Sequence, residues 1–265
     1  MTETRLRLGV CTSLENAAAV AAGGADYVEL SVANDLIPGS DAAEWAVRRR
    51  AIESLPVPVE AFNVLLTGRK IVGPEADTEW LGWYADRALA RAAEVGGKVV
   101  VFGSGGARRV PDDFPREQAE SQIISFLNQC ADAADKHGII LVIEPLNRGE
   151  SNILNSVAEG AEYVCAVDRA SIRLLADTYH MEKDSEPLSA IVDHGDLLAH
   201  THTADTGRRA PGTGTFDHVA LFRQLHAAGY KDRLSIECGW EDFAAQVGAA
   251  LAHLRDAERV ALTQG

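Results

Sequence analysis

Four side chains able to hold a metal ion stand at the ends of four successive strand-like runs. Glu144 closes Ile139-Ile-Leu-Val-Ile, Asp177 closes Leu174-Leu-Ala, His202 closes His200-Thr, and Glu237 closes Leu234-Ser-Ile. The runs before the three carboxylates are apolar, so each acid is drawn toward a partly dehydrated centre where an unpaired charge is costly. A divalent cation would compensate that charge. Three carboxylates and one imidazole, with positions left open, suit Mn²⁺, Co²⁺ or Mg²⁺ better than a thiolate-seeking metal. Any one of the four alone reads as a strand-end polar residue with a local hydrogen bond; four on consecutive strands read as one convergent site. A second layer follows at short spacings: Glu150 lies six residues after Glu144, His180 three after Asp177, and Arg208 six after His202. Each falls in a segment leaving a strand, where a carboxylate, an imidazole and a guanidinium above a metal could hold hydroxyls and polarise a carbonyl oxygen. Taken singly, each of these is equally a solvated loop charge.

The elements that must position these residues form a regular series. Eight β-branched runs recur: 8–11, 27–30, 59–62, 98–102, 139–144, 172–177, 197–202 and 234–238. Each is followed by an alanine-rich segment of helical period, at 14–22, 42–53, 78–95, 116–136, 157–167, 188–193, 219–228 and 243–259. Gly23-Gly24, Gly96-Gly97, His137-Gly138 and Gly229 punctuate the helix ends. Segments leaving the strands are longer and more polar than those entering them. Eight such units in 265 residues, against about 250 for a typical barrel, predict a single α/β domain over residues 1–265 with the (β/α)8 TIM-barrel fold. In that fold the four candidate ligands share the barrel mouth. No GxGxxG follows the first strand, which speaks against a dinucleotide-binding sheet.

The net charge of −14 would repel nucleic acid and anionic membranes at long range and leaves a neutral sugar unaffected. The absence of a long apolar run and of an apolar leader behind Met1 to Arg7 predicts a cytoplasmic protein that neither spans nor binds membrane. Cys11, Cys130, Cys165 and Cys238 are scattered and are read as small hydrophobes. Phe102-Gly-Ser-Gly-Gly-Ala-Arg-Arg109 invites a phosphate-binding reading, but without the Lys-Ser/Thr of a P-loop it reads first as a tight strand-exit turn against the pocket floor. Of the tryptophans Trp45, Trp80, Trp83 and Trp240, only Trp240 is placed to wall the site, with core packing as the equal alternative.

The strings Ile143-Glu-Pro-Leu-Asn-Arg-Gly-Glu150, Ala176-Asp-Thr-Tyr-His180 and His200-Thr-His-Thr-Ala-Asp-Thr-Gly-Arg-Arg-Ala-Pro-Gly212, together with Glu237, resemble the xylose-isomerase-like TIM-barrel sugar isomerase/epimerase superfamily. Their spacing is most similar to that of ketose 3-epimerases of the D-tagatose and D-allulose type. This resemblance implies Glu144, Asp177, His202 and Glu237 as ligands of one divalent metal, Mn²⁺ first with Co²⁺ or Mg²⁺ next. It also implies Glu144 and Glu237 as the proton-transfer pair, and Glu150, His180 and Arg208 as substrate contacts. His200, two residues before His202 on the same strand face, is a ligand or a partner of one. The implied reaction is epimerisation of a small keto-sugar through a metal-stabilised enediolate. Alternatives on the same metal are inosose or aldose-ketose isomerisation and β-elimination from a 3-keto-glycoside; a non-enzymatic alternative is a sugar-binding barrel with a decayed site. The resemblance further implies a small carbohydrate as partner and a homo-oligomer, dimer or tetramer.

Overall fold

The structure, a computed structural model, describes residues 5–263. Eight strands, β1 (Arg7–Cys11), β2 (Tyr27–Ser31), β3 (Val59–Asn63), β4 (Val99–Phe102), β5 (Ile140–Ile143), β6 (Ile172–Asp177), β7 (Leu198–Thr203) and β8 (Arg233–Ile236), pair in parallel and in sequence order. β1 pairs with β8, so the barrel closes.

The helices around it are α1 (Ala17–Ala22), α2 (Ala42–Glu53), α3 (Thr78–Glu94), α4 (Gly105–Arg108), α5 (Arg116–His137), α6 (Val157–Val167), α7 (Thr178–Lys183), α8 (Ser189–Asp193), α9 (His218–Ala227) and α10 (Phe243–Thr263). Parallel strands covered on both faces need continuous apolar sequence, which is why β4 and β5 read VVVF and ILVI. Helix starts are fixed by side chains: Asp41 accepts from Ala43 and Glu44 at α2, and Ser156 accepts from Glu159 at α6. Gly24, Gly96, Gly138 and Gly229 take the left-handed backbone that stops a helix before the next strand.

Two differences from the sequence expectation matter. The assigned strands β5 and β8 end one residue before Glu144 and Glu237, although Glu144 N still donates to Phe102 O (3.1 Å) and Glu237 N to Thr203 O (2.9 Å). His180 lies on the short helix α7, not in a loop, because the Asp177 carboxylate accepts from Tyr179 N and starts a helical turn at once.

The barrel interior is layered. Its lower part is a separate apolar cluster of Tyr27, Ala61, Val99, Val101, Val142 and Leu175. Tyr27 fits there because residue 9 is glycine: a Cβ at Gly9 would lie 2.2 Å from the tyrosine ring. Since side chains alternate along a strand, Glu29 of β2 and His200 of β7 also face inward, above this cluster. Irregular register at Val28/Glu29 and at Leu174/Leu175 breaks the β2–β3 and β6–β7 ladders below the mouth, as bulges often do beside a site. Among the described residues no helix is long and apolar enough to cross a membrane.

Candidate functional site

Register explains how the four strand-end residues meet. Asp177 pairs with His202, and His202 with Ser235, so these three sit at one level and Glu237 projects two residues higher on the Ser235 face. One ligand atom from each of Glu144, Asp177, His202 and Glu237 lies within 4.8 Å of the others. Glu144, Asp177 and His202 are 6%, 1% and 0% exposed, so little solvent reaches the charges.

The polar accounting of this cluster does not close on its own. Glu144 Oε1, Asp177 Oδ2 and His202 Nδ1 are buried without a hydrogen-bond partner. His202 Nδ1 stands 3.3 Å from Glu144 Oε1 and 3.6 Å from Glu237 Oε2. Buried polar atoms are rarely left in this state. Burial, reinforced by the charges of Glu237 and Glu144, pushes the Asp177 carboxyl up to about 8. Burial likewise raises Glu144. Glu237 behaves oppositely: burial would raise it, but the His202 and Arg208 charges hold it down at about 2. Three ionised carboxylates so close together require positive charge between them, and a divalent cation with oxygen and nitrogen donors is the group this donor set fits.

The residues of the second layer gather above the cluster. Arg208 donates from Nη2 to Glu237 Oε2 (2.8 Å), lies 3.5 Å from Glu150 Oε1, and covers the Tyr179 ring at 4.6 Å. Its backbone is left-handed, φ 60°, a conformation held by the loop: Asp205 and Arg209 exchange backbone hydrogen bonds, and the Asp205 carboxylate accepts from Thr206, Gly212 and Phe216 N. Asn147 Nδ2 donates to Glu150 Oε1 (3.0 Å) and approaches His180 Nδ1 at 2.8 Å, where Asn147 N also donates (3.3 Å). With Nδ1 accepting, His180 carries its proton on Nε2, which points toward Asp177 Oδ2 at 3.5 Å. Burial pushes His180 down to about 3, so the ring is a neutral donor near neutrality.

Several contributors escaped sequence reasoning. Asn63 donates to Glu237 Oε1 (3.1 Å), so both oxygens of that carboxylate are tied. Glu29 accepts from both His200 and His202; His200 turns its Nε2 to Glu29 and stands outside the four-residue cluster. A lone acid inside the apolar run Tyr27–Leu30 was the available signal for Glu29. Asn147 lies within the Glu144–Glu150 string itself, whereas Asn63 has no local mark.

The glycine-rich exit of β4 forms a wall of the site. A Cβ at Gly103 would lie 2.1 Å from Glu144 Oε2, so glycine lets the backbone pass against that carboxylate. Arg108 is fully buried and donates to the carbonyls of Phe102, Glu144 and Leu154, which removes it from any phosphate-binding role. Trp240 packs edge-on against Phe243 at 5.0 Å and joins the core.

Comparison with known proteins agrees with this geometry. Residues 17–257 match the family described as Xylose isomerase-like TIM barrel. The chain belongs to this family. Similar curated proteins include a 3-dehydro-D-guloside 4-epimerase of Escherichia coli K12, 35% identical over 55% of this chain and 58% of that protein. A D-psicose 3-epimerase of Agrobacterium fabrum is 42% identical over 43% of this chain and 40% of that protein. The matched stretches thus span about half the length of these curated relatives. Among solved structures, 3-keto-D-glucoside 4-epimerase from E. coli superposes with a TM-score of 0.81 at 27% identity, covering 95% of this chain and 100% of the other.

Proposed function

We propose that this member of the xylose isomerase-like family is a divalent-metal-dependent epimerase that inverts the hydroxyl-bearing carbon beside the ketone of a small sugar, with ketose 3-epimerisation as its reaction. The observation that carries the reading is the trio of buried, unpartnered atoms, Glu144 Oε1, Asp177 Oδ2 and His202 Nδ1, converging beside Glu237. In this reading Glu144, Asp177, His202 and Glu237 hold the ion, Mn²⁺ first. When bound, the ion supplies positive charge beside the substrate carbonyl and lowers the cost of negative charge developing on its oxygen.

The chain's own residues do the rest. Inversion requires a proton to leave one face of the carbon and another to arrive on the opposite face, so two acid-base groups must differ in protonation at the start. Glu237, whose carboxylate oxygens are tied by Asn63 and Arg208, takes the proton from carbon, and Glu144 returns one to the opposite face. Arg208 and the Nε2–H of His180 donate to the oxygens on which charge gathers, and Glu150, braced by Asn147, receives a substrate hydroxyl. Water is limited because the side chains of Glu144 and Glu237 are only 8% and 19% exposed.

A second reading, 4-epimerisation of a 3-keto-glycoside, is favoured by the full-length likeness to 3-keto-D-glucoside 4-epimerase. It uses the same step with ketone and carbinol one carbon further along. The test is to strip metal from the purified protein, restore Mn²⁺, Co²⁺ or Mg²⁺, and assay free ketohexoses, inososes and 3-keto-glycosides. Ion-dependent inversion of a ketohexose at carbon 3 supports the first reading, and inversion of the glycoside alone supports the second. Turnover that survives chelation, or none with any ion, defeats both.

A further inference from the structure

We infer that Glu29 is a positioning residue that sets the metal-facing nitrogen of His202; the inference rests on the proposed metal centre. Glu29 is 0% exposed and sits on β2, across the barrel from the strands that bear the candidate ligands. Its Oε1 meets His202 Nε2 at 3.0 Å. Its Oε2 meets His200 Nε2 at 2.8 Å and accepts from Ser235 Oγ at 2.6 Å. Tyr27 OH lies 2.7 Å from Ser235 Oγ and, since that hydroxyl already donates to Glu29, must itself be the donor.

An ionised carboxylate only accepts, so every group facing Glu29 must bring a hydrogen. Both imidazoles therefore carry N–H at Nε2. Once an ion displaces the second proton of His202, the N–H kept at Nε2 would leave Nδ1, 3.3 and 3.6 Å from Glu144 Oε1 and Glu237 Oε2, as the nitrogen free to ligate. His200 serves the arrangement from the far side, tying the second oxygen so that the carboxylate cannot rotate away. The interior beneath Glu29 is apolar, and a buried carboxylate there is costly unless its partners are fixed. A role confined to the fold would not require the charge to face two imidazoles of one strand. Orientation of a ligating histidine by a carboxylate on its other nitrogen governs metal affinity.

Glu29→Gln keeps the shape but leaves one accepting oxygen in place of two, so it cannot satisfy His202 and His200 together. Metal-stripped wild-type and variant proteins are titrated with Mn²⁺ by calorimetry, with urea unfolding measured in parallel. The expected result is Mn²⁺ affinity weakened roughly 10–100-fold in the variant, with activity largely regained at saturating Mn²⁺. Unchanged affinity beside a lowered urea midpoint would mean a structural role only and would overturn the inference. Absence of Mn²⁺ binding by the wild type would instead defeat the metal centre itself. A second measurement needs no variant: in ¹⁵N-histidine-labelled, Mg²⁺-loaded wild-type protein, His202 is expected to show a protonated Nε2 and an unprotonated Nδ1. A proton on Nδ1 would overturn the inference even if the variant fails to fold.

Discussion

Asp177→Asn is expected to make the metal-free protein more stable while destroying the proposed metal site. In the folded chain, burial and the neighbouring Glu237 and Glu144 push Asp177 from an ordinary 3.8 to about 8. A carboxyl raised on folding contributes stability that is fully present below its unfolded value and lost as pH rises toward the folded one. Between pH 5 and 8 that loss spans about three pH units at about 1.4 kcal/mol each, a ceiling of roughly 4 kcal/mol. Glu237, held near 2 from an ordinary 4.5, has the opposite sign, but its window lies below pH 4.5 and adds no slope here. Asparagine carries no charge, and its side-chain oxygen can still accept from Tyr179 N, so the start of α7 survives. Urea unfolding followed by circular dichroism in EDTA should therefore show the wild-type-minus-variant stability difference falling from pH 5 to pH 8 by about 2–4 kcal/mol, with the variant ahead at pH 8; His180, held down to about 3, and His218, held down to about 4, titrate with the opposite sign in both proteins and drop out of the difference. Excess Mn²⁺ should stabilise only the wild type, by about 2.7 kcal/mol at a hundred times Kd. A wild-type-minus-variant difference that does not change with pH, or a variant weaker than wild type at pH 8, would refute the claim that these carboxylates crowd one another without a cation.

Three further outcomes follow from the same geometry. Glu144→Gln and Glu237→Gln should each lower kcat by about 10²–10⁴-fold with the circular dichroism spectrum unchanged; near-normal rates in both would exclude the two-carboxylate mechanism. Gly103→Ala places a Cβ 2.1 Å from Glu144 Oε2 and should cut kcat/KM at least about 10-fold, about 1.4 kcal/mol of activation energy, with a crystal structure showing the carboxylate displaced. Arg208→Lys loses the fork that spans Glu237 and Glu150, so KM should rise and kcat fall together in steady-state assays, whereas a solvated loop arginine would leave both unchanged.

The barrel was legible in the sequence because its signals are local. β-branched runs such as Val99–Phe102 and glycines such as Gly96 and Gly138 announce each strand and each helix end without reference to the rest of the chain. The four-residue cluster was legible for a related reason: once the fold is a barrel, strand ends share one place, and Glu144, Asp177, His202 and Glu237 need no further geometry to converge. Residues that act across the barrel were harder to see. Asn63 reaches Glu237 over 174 positions and Glu29 reaches His202 over 173, contacts that no spacing rule encodes. Arg108, beside glycines, invited an anion-binding reading, and only the closed fold reveals three carbonyls around its guanidinium. The short helix α7 escaped periodicity because six residues are too few to display it.

The central claim is proton exchange at the carbon beside a sugar ketone, and its direct measure is deuterium incorporation. The metal-loaded protein is incubated with D-fructose, D-allulose and a 3-keto-glycoside in D₂O, the ion is removed, and the sugars are read by NMR. The account predicts one deuterium at the inverted carbon of a turned-over substrate, with loss of exchange in Glu144→Gln and Glu237→Gln. Inversion that retains the original hydrogen throughout, or exchange that persists in both variants, would contradict it.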